Sequence, residues 1–211
     1  MEAISRHGKH LVLMLAWMSL AWTVRADDFA TAIADKKVKV AFHGLGGSSG
    51  DTISVTVSKS DKNGEDIELT IPTGTRLRSG SSSAQSMVIS GVKGEQMTER
   101  KYRATSTIQA GGTPKTYILE AYCAEFEKDN PSSKTKFSLD EVDPVLACIL
   151  KEASELSPQG KQAAVWIYTD NVTFNHMNSK FSVNKSDWNA AQAIVKKCST
   201  KKASTKKGAS N

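Results

Sequence analysis

Cysteine and histidine are scarce. The 211 residues include 3 Cys and 4 His, too few for a multi-finger zinc protein. Proline is scarce as well, at 5 against 14 Gly, which excludes collagen and Pro-rich extended chains. Neither sign of charge dominates: 28 Lys+Arg against 22 Asp+Glu leave a formal +6. No nucleic-acid motif and no interleaving of aromatic with basic residues accompanies that excess, so nucleic acid is not an expected partner. After residue 26 no apolar run approaches the ~20 residues that span a bilayer. There is no internal repeat. What remains is an ordinary globular composition, 39% apolar and 24% charged, which excludes wholesale disorder. A chain of this size can bury about 70% of its unfolded surface and needs no metal to hold a core.

Residues 1–26 read as a secretory signal. Arg6, His7, Lys9 and His10 make a basic start, residues 11–24 (LVLMLAWMSLAWTV) are apolar, and Ala26 is a small residue before Asp27-Asp28. The expected location is secreted, extracellular or periplasmic. Disulfides persist there, so three cysteines become informative: Cys123, Cys148 and Cys198 allow one pair and leave one thiol over. Cys148 and Cys198 are the disulfide candidates, a pairing that leaves Cys123 as the odd thiol, while pairings of Cys123 with either remain open.

The expected fold is α+β: an antiparallel sandwich or barrel-like strand assembly with a C-terminal helical part. Alternating runs at 37–42, 52–58, 67–71, 85–92, 103–108 and 115–123 are strand-like. Asn63-Gly64 between the second and third of these predicts a hairpin. Past Glu127 the apolar period becomes helical. Asp143-Pro144 and Ser157-Pro158 each look like an N-cap with Pro at the first helical position, and Ser186 or Asp187 caps a third helix over 188–197. The expected division is a signal at 1–26, an N-terminal strand and Gly-rich loop at 27–50, a main domain at 51–197, and a Lys-rich flexible tail at 198–211 able to touch an anionic surface.

Two residues draw attention. Cys123 ends a strand-like run and shares a face with Leu119 and Ala121. Gln162 sits in Lys161-Gln162-Ala163-Ala164-Val165-Trp166-Ile167, a polar side chain among apolar neighbours on a helix. If buried, its amide needs a partner. That partner is either a backbone group or, covalently, a thiol: a thiolate held against a Gln carbonyl can expel ammonia and leave a thioester.

Tyr122-Cys123-Ala124-Glu125 and Gln162-Ala163-Ala164-Val165-Trp166 resemble the cysteine and TQxA-type motifs of bacterial surface thioester domains, with Lys161 where Thr is usual. The order agrees, strand cysteine first and helical glutamine downstream, and the resemblance covers roughly residues 51–197. It implies an internal Cys123–Gln162 thioester and covalent attachment to an amine or hydroxyl on a protein or polysaccharide of a host or neighbouring cell. Coupling would occur once per molecule rather than as enzyme turnover. His176 is a candidate helper base by chain proximity. No wall-sorting tail is present. The alternative is a non-covalent extracellular binding or structural module of the same fold.

Other patterns point elsewhere less well. Gly46–Gly50 contains a formal G-x-S-x-G around Ser48, but a strand-like run follows where a hydrolase elbow needs a helix. His43 and His176 have no paired ligand spacing, so no metal or other cofactor is expected.

Overall fold

The computed structural model describes residues 27–98 and 101–208. The expected signal lies outside the described residues. A short β1 (Asp27–Asp28) leads into α1 (Phe29–Ala34), whose first turn is capped by the Asp28 carboxylate accepting from Thr31 N. The strands are β2 (Val38–Gly44), β3 (Ser49–Lys59), β4 (Ile67–Thr70), β5 (Thr75–Ser79), β6 (Met87–Thr98), β7 (Lys101–Ala104), β8 (Ile108–Ala110), β9 (Lys115–Cys123) and β10 (Lys136–Val142). Four helices follow: α2 (Pro144–Glu152), α3 (Pro158–Asp170), α4 (Phe174–Lys180) and α5 (Lys185–Gly208).

The main sheet runs β5-β10-β2-β3-β9-β6-β7, and β5 also pairs with β6, so six antiparallel strands close into a barrel with β7 as an extra strand. The fold is therefore α+β, with a barrel and a C-terminal helical part. Cross-strand register explains which side chains meet inside. Phe42 lies opposite Val55, Val55 opposite Tyr117, and Ile89 opposite Ala121. All of these are buried in one cluster with Leu77 and Leu119. On the opposite face of β6 and β9, Val88 and Tyr122 pair and pack against Leu146, Leu150 and Val165, which seats α2 and α3 on the barrel.

The structure departs from the expectations in several places. The stretch after Glu127 is not purely helical: β10 lies there, between β2 and β5, and completes the closure. Its sequence KFSLDEV has few apolar residues because only Phe137 is buried. The Asn63-Gly64 turn exists, with Gly64 at φ +86°, but it does not make a hairpin. β3 pairs with β2 and β9, while β4 joins β1 and β8 in a separate sheet. Lys59 fills the connection, its ammonium donating to the carbonyls of Asn63 and Glu65 at 2.6 and 2.7 Å. Within residues 27–50, β2 is a barrel stave between β10 and β3.

The two Pro-led helices begin where expected: Asp143 accepts from Val145 N and Leu146 N, and Ser157 Oγ from Gly160 N. α5 starts earlier than expected, with Asn184 Oδ1 accepting from Asp187 N at 2.8 Å. It also runs on to Gly208 through most of the expected tail. Cys198 is buried and bonded to Cys148, which carries the helix past residue 198, and neither Pro nor Gly interrupts it before Gly208. No helix among the described residues is long and apolar enough to cross a membrane.

Candidate functional site at Cys123 and Gln162

β9 ends at Cys123, where its neighbours are β3 and β6. α3 crosses that end of the barrel. Gln162 lies in its second turn, and its side chain is completely buried. The amide is held by both ends of one residue: Cys123 N donates to Gln162 Oε1 at 3.0 Å, and Gln162 Nε2 donates to Cys123 O at 2.7 Å. The side-chain amide thus meets the strand as a neighbouring peptide group would. Burial at this point is tolerable only because both polar ends are matched.

The Cys123 side chain is also fully buried and is the free cysteine, since Cys148 and Cys198 form the disulfide. Its sulfur lies 3.6 Å from Met87 Sδ and 3.9 Å from Asn130 Oδ1. Burial, with a smaller contribution from the Glu125 carboxylate, pushes the thiol up to about 12. At neutral pH it is therefore a neutral S–H.

A second buried amide organises the chain just beyond. Gln85 Oε1 accepts from Glu125 N at 3.1 Å and from the Trp166 indole N–H at 3.2 Å, and Gln85 Nε2 donates to Lys128 O at 3.1 Å. Trp166 is one turn on from Gln162, so a single face of α3 contacts both Cys123 and Gln85. Ser48, Gln85 and Asn130 line a cleft of about 340 Å³ with Phe126, Glu127, Lys128, Asp129, Trp166, Lys180 and Phe181. Asn130 touches the Cys123 sulfur and Ser48 O accepts from Cys123 N at 2.9 Å, so the cleft ends one residue from the thiol.

His176 is on α4. Its Nε2 lies 3.1 Å from Glu127 Oε1, and its ring packs edge-on against Phe126 at 4.8 Å. These partners belong to the cleft wall, and neither Cys123 nor Gln162 is among them. Ser48 sits in the β2–β3 connection with a strand after it, so no nucleophile elbow is formed. Gln85, Asn130 and Met87 carry no motif in the sequence. Met87, 36 residues back in the chain, is brought to the Cys123 sulfur only by the fold, whereas Asn130 lies 7 residues on from Cys123 and Gln85 meets the neighbouring Glu125 N across 40 residues.

No family model matches the chain, no curated protein matches it, and no solved structure matches it.

Proposed function

We propose that the chain is a secreted covalent-binding module, in which the Cys123 sulfur condenses with the Gln162 side chain and a surface nucleophile later captures the acyl group. In the first step the sulfur attacks Gln162 Cδ. The C–N bond breaks, and ammonia leaves carrying the thiol proton. In the second step an amine or hydroxyl attacks the same carbon. The C–S bond breaks, a new amide or ester forms on Gln162, and the nucleophile's proton goes to the departing Cys123 sulfur. Each molecule couples once.

The observation that carries this reading is the two-point docking of the Gln162 amide on the backbone of the residue that owns the free thiol. The Cys123 N–H, shared between Ser48 O at 2.9 Å and Gln162 Oε1 at 3.0 Å, is within reach of the oxygen that gains charge when Cδ is attacked, where an oxyanion donor is needed. Water is excluded, which protects a thioester from hydrolysis. The cleft of about 340 Å³ gives a nucleophile an approach. Burial pushes the thiol up to about 12, so the sulfur starts as a neutral S–H and its proton must leave with the ammonia. Bond formation requires the sulfur to leave Met87 and Asn130 and the amide nitrogen to release Cys123 O. The disulfide and the leader-like residues 1–26 support export.

A second reading has its own observation. Gln162 is fully matched by backbone and the sulfur rests on Met87 and Asn130, the arrangement of a non-covalent module in which Gln162 pins α3 to β9. Intact mass of the native protein separates the two. The thioester predicts a mass short by one ammonia beyond the disulfide's two hydrogens, restored and increased by methylamine, with no response in Cys123→Ala. A full mass with no methylamine uptake favours the pin.

A further inference from the structure

α3 is held to the barrel by two adjacent faces, and the second face consists of residues that the pairing of Cys123 with Gln162 does not use. Lys161 and Val165 are four residues apart and stack on one side of the helix, while Gln162 and Trp166 stack on the side about 100° round. The first side meets Glu120 and Tyr122 of β9, which share a strand face because they are two residues apart. The Lys161 ammonium lies 3.2 Å from Glu120 Oε1, with side-chain exposures of only 16% and 18%. The Tyr122 hydroxyl donates to that same oxygen. The Tyr122 ring, fully buried, packs in the cluster that contains Val165.

The position of Lys161 makes this pairing more than a surface ion pair. It lies at the beginning of α3, where the helix dipole disfavours a cation, and the first turn of α3 contains no acidic residue to offset it. Glu120 supplies the compensation from another element. Burial alone would raise the Glu120 carboxyl, but the Tyr122 hydroxyl and the Lys161 ammonium together hold it below the ordinary carboxylate value. The carboxylate is thus ionised in a largely buried pair, a setting in which charges are screened less than on the surface.

We infer that Lys161 is a positioning residue: through Glu120 and Tyr122 it fixes the rotation of α3 on β9, so that Gln162 presents its amide to Cys123 and to nothing else. One contact per helix face leaves a helix free to roll, and contacts on two adjacent faces remove that freedom. The register is local, because the clamp joins the residues immediately beside the pair: Tyr122 precedes Cys123 and Lys161 precedes Gln162. Its consequence for coupling rests on the thioester reading above, whereas its consequence for the Gln162 amide does not.

The test uses both. In the Cys123→Ser background the Gln162 amide persists whether or not the native protein forms a thioester. There, NMR exchange of the Gln162 side-chain N–H protons should become about tenfold faster when Lys161→Met or Glu120→Gln is added, the loss expected for one charge-assisted contact. Lys161→Arg should restore slow exchange. In the chain with Cys123 intact, Lys161→Met should lower the ammonia-deficient fraction and slow methylamine uptake, with Lys161→Arg again restoring both. Unchanged Gln162 exchange in both variants overturns the positioning role, whatever the mass shows. A full native mass with accelerated exchange removes the thioester and leaves the clamp standing. Retention of the Cys148–Cys198 bond and of the native circular dichroism identifies folded variants. Should Lys161→Met not fold, Glu120→Gln, which keeps shape and hydrogen-bonding groups, decides the matter by the same exchange measurement.

Discussion

Cys123 and Gln162 show how much one pair of side chains can be asked to do. A buried Gln must be matched at two atoms, and here both matches come from one residue. Gln162→Ala should therefore destabilise by about 2–4 kcal/mol, since it empties a packed site and leaves Cys123 O without that donor. Denaturant unfolding measures it, and a change below about 0.5 kcal/mol, the range of surface substitutions, would show that the amide is not buried as described. The thiol has its own signature. Its pKa is raised by burial first and by Glu125 second, from 9.0 to about 12. The protonated form is thus favoured by the fold, so this contribution is complete below about pH 9 and is lost as pH rises towards about 12. Unbonded protein should lose stability across that alkaline window relative to Cys123→Ala. A thioester-bonded chain has no titrating sulfur and should show no such difference. At this scale the sequence was legible in part. The free cysteine, the disulfide partners and the glutamine could be picked out as residue types, but not that Met87 and Asn130 would lie against the sulfur, since neither belongs to a pattern.

At the scale of elements, the helix starts were legible because caps are local chemistry. Asp143-Pro144 and Ser157-Pro158 need no distant residue to specify them. Strand pairing is not local, and there the reading of Asn63-Gly64 as a hairpin failed: β3 had better partners in β2 and β9. β5 and β10 were missed for a related reason. Each has few apolar residues, because closing a barrel needs backbone partners more than a long hydrophobic run. One junction makes a sharp prediction. Gly74 has φ +86°, and a Cβ there would lie 2.7 Å from Ala147 N and from Asp143 O at the start of α2. Its N–H donates to Ile89 O, and its carbonyl accepts from Asp143 N. Gly74→Ala combines a strained conformation with a backbone clash, so a loss of at least about 2 kcal/mol is expected. Thermal unfolding checks this, and a neutral outcome would mean that α2 sits further from the barrel.

For the whole molecule, the barrel closes through the β5–β6 pairing and the helices are stapled to one another by Cys148–Cys198 across 50 residues. In the chain-entropy view that link is worth about 4 kcal/mol. Replacing both cysteines by Ser should lower stability by about that amount without removing the Cys123 site, because β9, β6 and α3 hold the site through their own contacts. Equal stability with and without the bond would contradict a structural role for it. At the Lys-rich end a polar run with no helix breaker before Gly208 continues α5.

The most direct measurement is the intact mass of the native protein before and after methylamine, alongside Cys123→Ala. A Cys123–Gln162 thioester gives a mass short by one ammonia beyond the disulfide, a gain of one methylamine on treatment at Gln162, and neither change in the variant. A full mass, indifferent to methylamine, would contradict the covalent function and leave Gln162 as the pin that fastens α3 to β9.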